Sequence, residues 1–116
     1  MTDTMTILAG IMGMLIAMVH GYLGATKVVQ PVTGIHPSAK RILHAIFLLS
    51  AVYWFVGGAV LVLAPFYLSP DARYVASLIV GTLFLSGAAG NFWATRGRHF
   101  GWVLLTIATT LTWVGM

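Results

Sequence analysis

The sequence predicts an all-α membrane protein, a single domain (1–116) whose four helices cross the bilayer in up-down antiparallel order. Three observations carry that prediction. Of the 116 residues, 59% are hydrophobic and only 7% charged, where a soluble domain carries about a quarter charged residues. The apolar residues gather into four runs of roughly membrane-crossing length. Short stretches rich in Pro, Gly and basic residues separate the runs, as in helices that return as antiparallel neighbours.

Taken in order, the apolar spans cover residues 5–26, 42–64, 74–93 and 100–114. The first three match the ~20 residues that cross the hydrocarbon core as helix, and the fourth is just long enough. Lipid offers no partner to an unpaired backbone group, so an open-ended span has to be helical. Gln30-Pro31 and Gly34 close the first helix, and Pro37-Ser38 opens the second with Ser38 as the expected N-cap. Pro65 marks the far end of the second helix. Ser69-Pro70-Asp71 then reads as N-cap, N1 proline and first-turn acid. Arg96-Gly97-Arg98 is a tight turn into the fourth.

Charge excludes several classes. There are two acids, Asp3 and Asp71, and six Lys and Arg, for a net charge of +4. Those bases lie scattered in short connections and form no stripe for nucleic acid. They fit orientation instead: Lys27, Lys40, Arg41, Arg96 and Arg98 flank the first and third connections, and Arg73 alone flanks the second. The positive-inside rule then places both termini outside the cytoplasm and disfavours dual-topology insertion. Cysteine is absent, which removes disulfides, thiolate metal sites and cysteine nucleophiles. A cleavable signal peptide is not expected, because the first apolar run is of membrane length and has no basic n-region.

Aromatic residues fill the interfacial belts: Tyr22, Trp93 and Trp102 at the basic side, Tyr67, Tyr74 and Trp113 opposite. Tyr53 and Trp54 fall in mid-span, where a phenol needs a partner. Thr82 or Ser86 of the third span is the expected one. Gly21 to Lys27 (G-Y-L-G-A-T-K) and Gly90 to Arg96 (G-N-F-W-A-T-R) read alike at two helix ends, which shared interface chemistry explains better than duplication.

Ionisable and amide groups inside spans are costly and mark candidate sites. His20 shares a helical face with Gly13, Ala17, Gly24 and Lys27, and Asn91 with Ser77, Gly81, Phe84 and Ala88. His44 lies with Ala51 and Gly58, alongside Phe47, Leu48 and Phe55. Small residues mark faces where membrane helices approach closely, so these polar groups are placed toward the bundle interior. At ~1.5 Å per residue, His20 lies about 10 Å from Lys27, His44 about 5 Å from Arg41 and Asn91 about 7–8 Å from Arg96. His20, His44 and Asn91, with Lys27 snorkelling and Tyr22 at the rim, form a candidate ligand-binding cluster. His36 and His99 sit in the loops just below.

Several chemistries fit that cluster. His20 and His44 are candidate axial ligands to a b-type haem iron, between helices with room for the macrocycle. The same imidazoles can instead tie helices together through Asn91, backbone carbonyls or each other. Zinc would need a third or fourth ligand, from His36 or His99. His20, Asn91, Tyr22 and Lys27 also offer donors to a quinone or a lipid headgroup, and Lys27, Lys40, Arg41, Arg96 and Arg98 attract anionic lipid. No carboxylate lies within a span, which disfavours proton-coupled export and carboxylate-bridged di-iron sites. The hydroxyls of Thr106, Thr109, Thr110 and Thr112 are expected to bond back to their own helix.

In size, span count and a His near the basic end of each of the first two spans, the chain resembles small four-helix proteins of bacterial inner membranes. That resemblance implies the compartment and no activity. It differs from the small multidrug exporters, which carry an acid in the first span, and from fluoride channels with their Gly-Thr-Ser-Phe-rich pattern. Gly and Ala occupy more than one face per helix: Gly10, Gly13 and Gly21, Gly57 and Gly58, Gly87 and Gly90. So small a bundle cannot use them all internally, and some faces should meet another subunit. The leading expectation is a non-catalytic subunit in a homo-oligomer or larger membrane complex. Binding of haem b, a quinone or a lipid headgroup is the alternative, and a small-molecule channel the third.

Overall fold

The computed structural model describes residues 2–116 and is all-helical. It contains α1 (Thr2–Leu23), α2 (Pro37–Tyr67), α3 (Pro70–Thr95) and α4 (Gly101–Val114), with a π-helical turn (Gly24–Val29) continuing α1. Among the described residues there is no strand. Three of these rods are long and apolar enough to cross a membrane: Thr2–Val29, Pro37–Tyr67 and Pro70–Thr95. The fourth, α4, has 14 residues. At ~1.5 Å per residue that is about 21 Å, below the ~30 Å of a hydrocarbon core. The expectation that α4 is just long enough therefore needs local thinning of the bilayer, or flanking residues that reach the interface.

The caps show which local signals decide the boundaries. Ser69 caps α3, its hydroxyl accepting from Ala72 N at 3.3 Å, with Pro70 at N1. At α2 the expected Ser38 cap is incorrect. His36 is the N-cap, its Nδ1 accepting from Ser38 N at 3.1 Å. The reason lies in Pro37, which holds the preceding residue extended, and His36 accordingly has ψ 140°. α2 also runs through Pro65 to Tyr67. Pro65 lacks the amide that would bond the Leu61 carbonyl, and the helix continues only two residues past it. Arg96 ends α3 in the left-handed region (φ 53°), and Gly97 follows at φ 73°. The two make a turn short enough to send α4 straight back.

Helices approach through residues that lack side-chain bulk. Gly10 and Gly58 bring α1 and α2 nearly backbone to backbone: a Cβ on Gly58 would sit 2.5 Å from the Gly10 carbonyl oxygen and 2.9 Å from Met14 Cγ. Further along the same seam Gly21 meets Ala51 and Gly24 meets Phe47, so α1 and α2 run in opposite directions. α3 seats Trp113 of α4 on Gly81 and Trp54 of α2 on Gly87. The core between them holds Phe84, Leu61 and Leu105, all but fully buried, with Ala9, Ala17, Ala88 and Ala108. α4 closes back on α1 where the Thr6 hydroxyl donates to the Gly115 carbonyl at 3.2 Å. Arg73 of α3 reaches Asp3 of α1 at that same end.

The threonines of α4 behave as the sequence implies. Thr106, Thr109, Thr110 and Thr112 donate to the carbonyls of Trp102, Leu105, Thr106 and Ala108, at 2.7–2.9 Å. Tyr53 does not. It is 56% exposed, while Thr82 and Ser86 donate to Leu78 and Leu83 of their own helix. The phenol lies on the outer face of α2, so the expected bond to α3 is not made.

Candidate functional site

The basic end of the molecule holds two separate polar features, and they divide the predicted cluster between them. The first is built on His20. Its ring centroid lies 4.5 Å from that of Trp54 and 5.1 Å from that of Phe47, both on α2. Phe47 and Trp54 are seven residues apart, two helical turns on one face, and so straddle the imidazole. Gly24 leaves the space that Phe47 fills, and Gly87 the space that Trp54 fills. His20 is thus wedged between aromatic rings by small residues on its own helix and on α3.

Asn91 of α3 and His99 of the following turn both lie against Gly101 at the start of α4. A Cβ on Gly101 would meet the His99 ring at 3.0 Å and Asn91 Nδ2 at 3.3 Å. The turn is tied down locally. His99 N donates to Thr95 Oγ1 at 3.3 Å, Thr95 Oγ1 to the Asn91 carbonyl at 2.7 Å, and Gly101 N to His99 Nδ1 at 3.0 Å. Within this region His20 Nε2 and Asn91 Oδ1 are the two side-chain polar atoms, among the described residues, that are buried without a hydrogen-bond partner. A buried polar atom left unpaired costs about 1–3 kcal/mol.

The second feature is a groove of about 580 Å³ between the π turn and the start of α2. Ala25, Thr26, Val29 and Gln30 form one wall, and Pro37, Lys40, Arg41 and His44 the other. Gln30 N bonds the Ala25 carbonyl at 3.1 Å, five residues back, which marks the wider turn. Lys40 bridges the walls: its ammonium donates to the carbonyls of Gln30 at 3.1 Å and Val32 at 3.0 Å.

The structure buries one polar atom each of His20 and Asn91 and leaves the other predicted members exposed. His44 is exposed on the groove: its face of α2, shared with Phe47 and Ala51, looks onto the π turn across that gap. Lys27 is exposed too. An ordinary α-helix would return to the His20 face seven residues on, and the π turn rotates Lys27 off it. Tyr22 is 66% exposed and away from the imidazole. Arg96 and Arg98 are exposed at the α3–α4 turn.

Residue reasoning passed over Trp54, Phe47 and the π turn. The seven-residue spacing of the two aromatics was a usable signal for the first pair. Nothing in Gly24–Val29 distinguishes a π turn from an α turn locally. Among the described residues no group of three or more His, Cys, Asp or Glu is placed to hold a metal ion. Comparisons with protein-family models, curated proteins and solved structures return no match, so the site has to be read from its own chemistry.

Proposed function

We propose that this protein is a four-span up-down bundle of the bacterial inner membrane, with both termini outside the cytoplasm. In this reading it serves as a non-catalytic subunit packed against a second copy or a larger membrane partner. One observation carries the subunit role. Thr82, Ser86, Gly90 and Ala94 follow one another at four-residue spacing on α3, and all four are exposed. Nothing lies within 4 Å of a Cβ built on Gly90. In a membrane, small residues at this spacing are where a neighbouring helix packs. Inside the chain the same device already joins α1 to α2. Four-span topology draws support from α4, whose ends lie beside Asn91 and Thr6, near the two ends of α1.

Haem b held by His20 and His44 has less support. It would require His44 to leave the groove wall and His20 to leave its place between Phe47 and Trp54. A quinone at His20 meets the same packing. A channel would need a polar path across the bundle, whereas the core layers are Phe84, Leu61 and Leu105.

The chain has no cysteine, so Gly90→Cys introduces a single thiol. Oxidative crosslinking in native membranes, repeated with a photo-crosslinker at position 90, should give one discrete adduct, either a dimer or a conjugate of defined larger mass. Val52, an exposed position on α2, is the control and should give none. Equal labelling at both positions, or none at either, would defeat the subunit reading.

A further inference from the structure

The groove between the π turn and α2 has a composition that the subunit reading does not use. Ala25 and Val29 give the wall of the π turn apolar surface beside Thr26 and Gln30, while Arg41 and His44 stand on the other wall with Pro37. The two differ from Lys40 in what they hold. Lys40 spends two of its three donors on the Gln30 and Val32 carbonyls and so fixes the groove's width. Arg41 makes one long contact to Ser38 Oγ, at 3.4 Å, and is otherwise open, and His44 makes none. No acid stands near, since Asp3 and Asp71 belong to the opposite end of the helices. A guanidinium with an imidazole one turn deeper, above an apolar trough, is complementary to an anionic head carried on a hydrocarbon tail. Arginine suits phosphate because its planar fork donates two parallel bonds.

We propose that this groove is a specific site for one anionic glycerophospholipid. The phosphate is held between Arg41 and His44, Gln30 donates to the headgroup, and the first part of an acyl chain lies along Ala25 and Val29. Lys27, Arg96 and Arg98 attract anionic lipid only as part of the general field of that end. Lys40 is a positioning residue that holds the walls apart.

The test uses the full chain in mild detergent, with native mass spectrometry counting retained lipid. The probes are phosphatidylglycerol and phosphatidylcholine of identical acyl composition. Wild type should retain one phosphatidylglycerol per chain with about a tenfold preference over phosphatidylcholine, about 1.4 kcal/mol. Arg41→Gln should remove most of that preference, and Arg96→Gln, an equal change of charge at the other turn, should leave it within twofold. Exposed His44 allows a second variant with little risk to folding: His44→Glu should abolish the preference with helicity unchanged. Inorganic phosphate at millimolar concentration should leave the lipid bound. Equal losses in Arg41→Gln and Arg96→Gln, no preference in wild type, or displacement by phosphate would each overturn the site.

Discussion

The two ends of this bundle are built on opposite principles. At the end holding Asp3 and Gly115, helices meet through backbone: Gly10 against Gly58, and the Thr6 hydroxyl on the Gly115 carbonyl. At the basic end they meet through rings and spacers. His20 lies between Phe47 and Trp54, two buried polar atoms go unpaired, and a groove separates the π turn from α2. Close packing leaves no freedom, since interiors this dense transmit any added volume as strain. Looser packing with unspent donors is where a ligand can be accommodated. The contrast sets close backbone packing at one end against open polar groups at the other.

The contrast breaks most directly at Gly58. Gly58→Ala places a methyl 2.5 Å from a backbone oxygen that cannot rotate away, and should cost about 3 kcal/mol, the upper part of the range for overpacking. Reversible unfolding in mixed micelles measures it. A cost near zero would mean that the tight end is not the stabilising one.

His20 sharpens the other half of the comparison. His20→Ala leaves a void between Phe47 and Trp54 and should cost about 2–3 kcal/mol. His20→Leu comes close to keeping the volume and deletes the unpaired Nε2, so it should cost less than ~1 kcal/mol. Should both substitutions cost the same, Nε2 has a partner that matters, and the basic end is more rigid than its packing implies.

The smallest effect belongs to the ion pair between Arg73 and Asp3, whose side chains are 28% and 55% exposed. Asp3→Asn should lower stability by no more than ~0.5 kcal/mol after screening by solvent. Raising the salt should shrink the difference between variant and wild type further. A larger loss would show that charge, as well as close backbone packing, secures that end.

How much was legible in the sequence follows the same division. Helix number and order could be read because apolar runs and breakers act locally: Ser69-Pro70-Asp71 and Arg96-Gly97 do what their chemistry dictates. The candidate site was legible only in outline. Face-sharing by α-helical period turned His20 and Asn91 toward the interior, where each buries a polar atom, but it also assigned Lys27 to the His20 face, and that period does not hold across a π turn. The matched endings make the point. Thr26 bonds back to the Tyr22 carbonyl and Thr95 to that of Asn91, both at 2.7 Å, yet one helix goes on to widen and the other ends in a left-handed residue. Packing of Phe47 on Gly24 accompanies the first outcome, and that contact spans 23 residues of chain.

The widened turn has one consequence for how this chain can vary. A π turn is in effect an ordinary helix with a residue to spare, so Gly24–Val29 is where one residue can be dropped without unseating the membrane-embedded part of α1. Such a deletion would return the segment to α-helical hydrogen bonding and leave the residues beyond it in their present register. Length variants at this point would therefore keep Val29 and Gln30 facing Arg41 across the groove.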